Sequence, residues 1–564
     1  MRGAVNLKIA VIQTNPIVGD IEHNFQNILS LAKPTLKQGA SLVVTPELSL
    51  LGYPPKDLLS LKSLLKRQQV YLEKFLEFTK VNNCSILVGG IEQNPGPGKP
   101  FFNSIFVISK GILLGTVRKS RIPSYDVFEE DRFFQPGNSP TSNPFQVEGL
   151  KFRVVVCEDL WNTTQAFGVR DLRTYPSSTH PLFKVQKDFD FLVHVSASPY
   201  WKKKIQTRKD LIAAYASKLN SPIICVNQVG ANDEVVFDGS SFCVLPDRSI
   251  CASLPSFEET SLTFEIQGQK STIRKVDESE TVEWQFIEQA IVLGIKDYFK
   301  KNNVKQALIG MSGGIDSALV ATLSAKALGS ENVKGILLPS AITSKLSIED
   351  GIDQCHRLKI QHELIPIAGW VESLSASLLD SPSGLAYENL QSRLRGIALM
   401  SLSNKTGSLV ISTGNKSELA MGYSTLYGDM CGALLPIGDL YKTEVYGLSH
   451  FLNLQTPGLI SNSILQKPPT AELALNQKDE DSLPSYDVLD GLLYEIIENQ
   501  GASFSGFQSW NKILGERFTA QTIANKMKAA EFKRFQAPPI IKLSQRSFGK
   551  SWRMPLSSGE WVLT

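Results

Sequence analysis

The run Ser312-Gly313-Gly314-Ile315-Asp316-Ser317 has the residue types that hold phosphate. It follows an apolar run at 307–311 and precedes a helix-like run at 318–325. In a strand–turn–helix setting, paired glycines let backbone N–H groups close on an anion, and the helix N-terminus adds partial positive charge. The hexapeptide lacks the Lys-Ser/Thr ending of a Walker A loop. A plain capped Gly-Gly turn is the alternative; all six positions in this setting favour nucleotide binding. A second chemistry is written nearer the N-terminus. Val43-Val44-Thr45-Pro46-Glu47 ends a strand in a carboxylate, Arg118-Lys119-Ser120-Arg121-Ile122-Pro123 puts an ammonium in a loop, and Val154-Val155-Val156-Cys157-Glu158-Asp159-Leu160-Trp161 ends a strand in a thiol. A thiol with an ordinary pKa of about 8.5 must lose its proton to attack an amide. A carboxylate can take that proton and pass it to departing ammonia, and an ammonium can steady both thiolate and oxyanion. Taken singly, Cys157 reads as core, Glu47 as a turn residue and Lys119 as a solvated charge.

Such residues need elements to position them. Short β-type runs lie at 8–13, 41–45, 86–89, 104–108, 152–156, 191–195, 223–226 and 240–245, with helical patterns at 61–79 and 208–219 between them. That mixture predicts an α/β layered domain over residues 1–266. The polar stretch QGQKSTIRKVDESE at 267–280 reads as a linker. Helical and strand runs then alternate from 282 to 413, so residues 281–564 are expected to form a doubly wound parallel sheet with the Gly-rich loop at its ligand side. The tail at 531–546, mixing bases with Pro538-Pro539, is expected to wrap the surface.

At 564 residues the chain is too long for one core. Hydrophobic residues at 42% and charged residues at 20% describe an ordinary globular protein. A net charge of +3 gives no reason to expect a nucleic-acid or membrane partner. No apolar run is long enough to span a bilayer. The first residues run into a strand signal without a cleavage site, and the seven cysteines form no CxxC pair, so a cytoplasmic protein with reduced thiols is expected. The six histidines form no metal-ligand cluster.

Several strings resemble known families. The loop at 312–317 is similar to the pyrophosphate loop, SGGxDS, of the N-type ATP pyrophosphatases, which implies cleavage of ATP between its α- and β-phosphates. TPEL, RKxxIP and VCEDLW resemble the nitrilase (carbon–nitrogen hydrolase) superfamily in order and context. That resemblance implies an αββα sandwich, the catalytic set Glu47, Lys119 and Cys157, and a further carboxylate at Glu130. The segment Ile122-Pro123-Ser124-Tyr125-Asp126-Val127-Phe128-Glu129-Glu130 resembles the glutaminase branch, with Asp126 for the usual Gly and Glu129 for the usual Asp. Tyr125, Ser198 and Lys204 then match positions that hold glutamine; a solvated basic patch is the plainer reading of Lys202-Lys203-Lys204.

Across nearly the whole chain, the strings around Asn389, Thr413–Tyr423, Thr425–Met430, Asp439–Thr443, Lys467–Leu473 and Asp479–Pro484 resemble the glutamine-dependent NAD+ synthetases. The resemblance implies amidation of deamido-NAD to NAD+ through an acyl-adenylate, with ATP as co-substrate, Mg2+ as cofactor and glutamine as ammonia source. It assigns the ATP phosphates to Ser312, Gly313, Gly314, Ile315, Asp316 and Ser317, and an ATP contact to Thr413. Deamido-NAD falls to Asn389, Glu418 and Lys533, the metal to Asp316 and Glu418, and phosphate neutralisation to Lys442. Asp316 could instead be a charge partner of a helix N-terminus, and Asp429 a turn residue. An internal ammonia tunnel and a homo-oligomer are also implied. A different ATP-pyrophosphatase amidoligase and a catalytically dead nucleotide-binding regulator are the rivals.

Overall fold

Strand β1 (Asn6–Gln13) is apolar on both faces. Leu7, Ile9 and Val11 enter one core, while Ala10 and Ile12 enter another. A period-two strand that feeds two cores must lie in an inner layer. The structure, a computed structural model, describes residues 6–137, 144–161, 188–267, 270–271, 283–378, 382–470, 472–474, 477, 479–499, 504–515 and 517–559. The chain divides into two units, Met1–Thr281 and Val282–Thr564.

In the first unit the strands following β1 are β2 (Leu42–Val44), β3 (Ser85–Gln93), β4 (Phe101–Ser109), β5 (Ile112–Arg118), β6 (Phe145–Val147), β7 (Leu150–Val156) and β8 (Phe191–Ser196). Then come β9 (Ile223–Asn227), β10 (Val229–Asn232), β11 (Val235–Asp238), β12 (Phe242–Val244), β13 (Ile250–Ser253), β14 (Thr260–Gln267) and β15 (Lys270–Ser271). One sheet runs β15-β14-β1-β2-β3-β4-β5, and the other β13-β12-β9-β8-β7-β6. Their centres, β1-β2-β3 and β7-β8-β9, are parallel. Apolar side chains from both sheets meet in one inner core. Helices α1 (Ile21–Lys37) and α2 (Lys62–Val81) cover the outer face of the first sheet, and α3 (Lys204–Leu219) that of the second. The layers are therefore αββα. Lys270 and Ser271 lie in the stretch read as linker, yet they pair antiparallel with β14. Edge pairing uses backbone groups, which polar side chains leave free to bond.

In the second unit β16 (Ala307–Gly310), β17 (Val333–Leu337), β18 (Gln361–Leu364) and β19 (Leu409–Ile411) form a parallel sheet in the order β18-β17-β16-β19. The chain reverses its direction of travel across the sheet between β16 and β19, and such a switch opens a crevice at the strands' C-terminal ends. Helices α4 (Glu283–Lys301) and α5 (Ile315–Leu328) pack together, with α5 against β16 and β17. After α6 (Lys345–Leu358), α7 (Ala368–Ser377) and α8 (Leu385–Thr406) share a core with Leu308, Ile336 and Val410. Short α9 (Lys416–Met421) follows β19, and α10 (Lys442–Gln455) packs on α5. The tail does not wrap the surface. Ile540, Ile541 and Leu543 are buried, and Asp439 Oδ2 accepts from the Leu543 and Ser544 N–H groups at 2.7 Å each. The apolar residues drive the segment inward, and the carboxylate satisfies the backbone donors that burial strips of water.

Gly313 sits at φ +75°, and a Cβ there would lie 2.2 Å from the Ser347 carbonyl oxygen. Gly314, in extended backbone at φ −97°, would bring its Cβ no closer than 3.3 Å, to the Ser312 hydroxyl. Gly313→Ala is expected to destabilise the second unit by about 2 kcal/mol, and Gly314→Ala by less than about 1 kcal/mol, in urea unfolding.

Candidate active sites

In the first unit, Glu47 follows β2, Lys119 follows β5 and Cys157 follows β7. The structure brings all three together. Lys119 Nζ donates to Glu47 Oε1 at 2.8 Å and to Glu130 Oε1 at 2.7 Å, with all three side chains buried. Glu47 is fixed further by Asn103 Nδ2 at 2.7 Å on Oε1 and by the Ala197 N–H at 2.8 Å on Oε2. Tyr53 donates its hydroxyl to Glu130 at 2.8 Å. One buried carboxylate joins two of the loops: Asp159 accepts from the Ser120 and Arg121 N–H groups at 3.1 and 2.9 Å, and from the Val156 N–H at 3.1 Å. Cys157 itself turns at φ +42°, a strained conformation for a side-chain-bearing residue.

The electrostatics follow from burial. Burial pushes the Cys157 thiol well above its ordinary value and Glu47 adds to this, while Lys119 and the Ser196 hydroxyl pull it back. Burial works against the Lys119 charge, but Glu130 and Glu47 outweigh it and hold the ammonium above its usual range. Burial raises Glu130 to about 7 against the pull of Lys119. The thiol is thus kept protonated until a base beside it takes the proton, and the carboxylates lie within the same cluster.

Of the residues matched to glutamine, Tyr125 donates to Glu158 Oε2 at 3.0 Å. Lys204, at the start of α3, lies over the Trp161 and Trp201 rings at 4.8 and 5.6 Å. Burial lowers its pKa to about 8, opposed by Asp126 and Glu158 and by Cys157 in its thiolate form. Its ammonium is buried against aromatic faces and near carboxylates, not in the solvated patch that Lys202-Lys203-Lys204 suggested. Ser198 is buried, and its N–H donates to Asn227 Oδ1 at 2.8 Å. Tyr53 and Asn103 were not singled out in the sequence. A buried Tyr six positions past Glu47 was a weak signal, and Asn103 in the middle of β4 offered none.

In the second unit a cavity of about 260 Å³ opens at the C-terminal ends of β16 and β19. Ser312, Gly314, Ile315, Asp316, Thr413 and Glu418 line it, with Lys442, Lys467 and Thr470. Lys442 Nζ contacts Asp316 Oδ2 at 2.5 Å and Glu418 Oε1 at 3.2 Å. Asn415 caps α9, accepting from the Glu418 N–H at 3.0 Å, and its Nδ2 donates to Asp316 Oδ1 at 2.9 Å. Burial raises Glu418 to about 8; Lys442 opposes this and Asp316 adds to it. Burial works against the Lys442 charge, but Asp316 and Glu418 outweigh it and hold the ammonium above its usual range. Two oxygen-donor carboxylates on one cavity wall, short of counter-charge, suit a hard divalent cation such as Mg2+. Among the described residues no larger His, Cys, Asp or Glu group could hold a metal ion, so such a cation would take its other ligands from phosphate and water.

The residues matched to the dinucleotide are less close-set. Glu418 lines the cavity, while Asn389 Oδ1 accepts from the Thr425 hydroxyl at 2.8 Å. Lys533 Nζ donates to the Gly422 and Ser424 carbonyls at 2.7 Å each. Ser317 turns its hydroxyl to the Gly314 carbonyl at 3.0 Å. Asp429 accepts from the Thr425 N–H at 2.6 Å, as a turn residue would, and still lines the cavity.

Residues 8–275 match the carbon-nitrogen hydrolase family and residues 287–537 the NAD synthase family. A glutamine-dependent NAD(+) synthetase of Synechocystis sp. is 40% identical over 562 residues, covering 97% of this chain and 98% of that protein. The chain belongs to the glutamine-dependent NAD(+) synthetase family. The structure of the glutamine-dependent NAD+ synthetase from Acinetobacter baumannii, solved in complex with ADP, superposes with a TM-score of 0.76 at 32% identity, covering 98% of each chain. The glutamine-dependent NAD(+) synthetase of Cytophaga hutchinsonii shares the fold, with a TM-score of 0.79 at 16% identity over 99% of this chain and 98% of that one. Both units of the family thus stand in this chain, in the family's order.

In this family member the Lys204 charge carries a stability cost. The folded chain releases the Lys204 proton at about pH 8, the unfolded chain near its ordinary value of about 10.4. Between these values the unfolded state binds more protons, so this residue's cost falls as pH rises. Lys204→Met is expected to raise the melting temperature at pH 7, to lose that advantage as the pH approaches about 10, and to raise KM for glutamine.

Proposed function

We propose that this chain makes NAD+ by amidating deamido-NAD, activated by ATP, with ammonia cut from glutamine. The observation carrying the reading is that one chain holds both a buried Glu47–Lys119–Cys157 cluster and a phosphate-loop cavity walled by Asp316, Lys442 and Glu418. An amidase alone would not need the second, nor an adenylating enzyme the first.

In the first unit the Cys157 Sγ attacks the glutamine side-chain carbonyl carbon as Glu47 takes the thiol proton. Lys119 steadies the charge that develops on the oxygen. The C–N bond breaks as the proton passes to nitrogen; ammonia leaves and a thioester remains. Water, deprotonated through Glu47, hydrolyses the thioester to glutamate and restores the thiol. Lys204 fits the glutamine α-carboxylate, and Glu158, already holding Tyr125, fits its α-ammonium. Ser198, matched to the same ligand, has its N–H and carbonyl on the Asn227 side chain.

In the second unit the backbone of Ser312, Gly313, Gly314, Ile315 and Ser317 cradles the phosphates, with Thr413 beside them at the end of β19. The substrate carboxylate attacks the α-phosphate, pyrophosphate departs, and ammonia displaces AMP from the acyl-adenylate. Lys442 lies where it can neutralise the departing charge. Asp316 and Glu418 would hold Mg2+, which when bound screens the phosphates and stabilises their developing charge. Asn389 and Lys533 would act on deamido-NAD from the rim, Lys533 after leaving the carbonyls it now caps.

Cys157→Ala is expected to lower glutamine-driven NAD+ formation by about 10³-fold or more while synthesis from added ammonium stays within about threefold of the parent. Glu418→Gln should abolish both routes, measured as AMP release with deamido-NAD. Equal or better AMP release with xanthosine monophosphate would instead identify a different amidoligase.

A further inference from the structure

His194 sits in the middle of β8, fully buried, on the face that packs against α3. The core on that side, between the sheet and α3, includes Leu192, Ile212, Ala216 and Ile223, and the buried Arg208 of α3 lies near enough to disfavour an imidazolium. Burying an imidazole there costs free energy unless both ring nitrogens find partners. They do. Nε2 lies 3.0 Å from the Cys157 carbonyl oxygen, and Nδ1 lies 3.3 Å from Cys225 Sγ. Cys225 is the directly opposed residue on β9.

A carbonyl can only accept, so Nε2 must carry the proton. Nδ1 is then a lone pair, and the Cys225 S–H is its donor. Burial holds the two groups in these states: it lowers the imidazole to about 4 and raises the Cys225 thiol to about 12. The chain of donors runs Cys225 S–H to His194 Nδ1, then Nε2–H to the Cys157 carbonyl. That carbonyl also accepts the Leu160 N–H at 3.2 Å. The peptide it belongs to joins Cys157, at φ +42°, to Glu158, whose carboxylate accepts the Tyr125 hydroxyl. Its orientation therefore sets ψ of the one and φ of the other.

We propose that His194 is a positioning residue for the amide-cleaving half of the reaction: as a fixed neutral donor it holds the 157–158 peptide so that the thiol faces Glu47 and Glu158 faces Tyr125. This rests on Cys157 being the nucleophile. Cys225 sets the tautomer and so supports the same peptide at one remove.

The test uses the full chain with His194→Phe, His194→Gln, Cys225→Ala and Cys225→Ser. For each variant kcat and KM for glutamine, the rate of Cys157 alkylation by iodoacetamide mapped by mass spectrometry, and the melting temperature are measured. His194→Phe, which removes the donor, is expected to lower kcat and alkylation rate by about tenfold or more. His194→Gln, whose amide N–H can reach the same carbonyl, should restore both to within about threefold at a similar melting temperature. Cys225→Ser should match the parent, and Cys225→Ala should lose about threefold in kcat. The proposal is overturned if His194→Phe keeps parental kcat and alkylation, or if His194→Gln falls as far as His194→Phe. Should His194→Phe fail to fold, the two Cys225 variants decide, and equal kcat in both overturns it. Failure of the underlying reading looks different: Cys157→Ala would then retain glutamine-driven synthesis.

Discussion

A cation taken out of water must be matched, and here one buried ammonium is held between two carboxylates again and again. Lys119 lies between Glu47 and Glu130, Lys442 between Asp316 and Glu418, and Lys416 between Asp439 and Glu498. Desolvating such charges costs several kcal/mol per ion, and only close, well-aligned partners repay it. In each cluster one partner comes from a distant part of the chain, so the charges come together only in the finished fold. Each cluster also holds one more negative charge than positive. Burial, with the second carboxylate adding to it, raises Glu130 and Glu418 above the ordinary carboxylate range, and an incoming proton or cation can answer that surplus.

The Lys416 cluster shows the same device in a structural role. Its ammonium donates to the Ser544 hydroxyl at 2.8 Å and the Arg546 carbonyl at 2.7 Å, and Asp439 takes the backbone of Leu543 and Ser544. The tail is thereby fastened under α9. Next along that helix, the Ser417 hydroxyl donates to Asp490 at 2.5 Å and accepts from the Lys442 N–H at 2.9 Å. The wall of the cavity at the ends of β16 and β19 is built on a buried polar network whose members satisfy one another, which rigidifies it.

Much of the arrangement was legible in the residues. Short β-type runs among helical patterns announced an α/β layered domain, the nitrilase resemblance implied its sandwich form, and alternation of strand and helix after residue 282 announced the parallel sheet. Glu47, Lys119 and Cys157 read singly as ordinary residues; the strand-end positions of Glu47 and Cys157 hinted at reactive groups, and the resemblance joined the three. The fate of the tail was not. Bases and prolines suggested a surface strap, yet Ile540, Ile541 and Leu543 found a core and Asp439 found their N–H groups. The two residues of β15 were hidden for a related reason: strand pairing at a sheet edge needs backbone groups, not apolar side chains.

The sequence alone determined the chemistry available: a thiol, a carboxylate and an ammonium in one half, and a Gly-rich loop before a helix in the other. Those depend on residue type and on spacing within a few positions, which local geometry reads directly. Tertiary structure decided which charges share a partner. Lys442 was read as a phosphate ligand, and the fold gives it Asp316, 126 residues away, and Glu418. Lys204 read singly as part of a solvated patch, and the fold buries it against Trp161 and Trp201. His194 carried no signal at all. Its part follows from strand register, which sets it opposite Cys225 and under the Cys157 carbonyl. Electrostatic and hydrogen-bonded partnerships act over a few ångströms of space, and only folding turns separation along the chain into that distance.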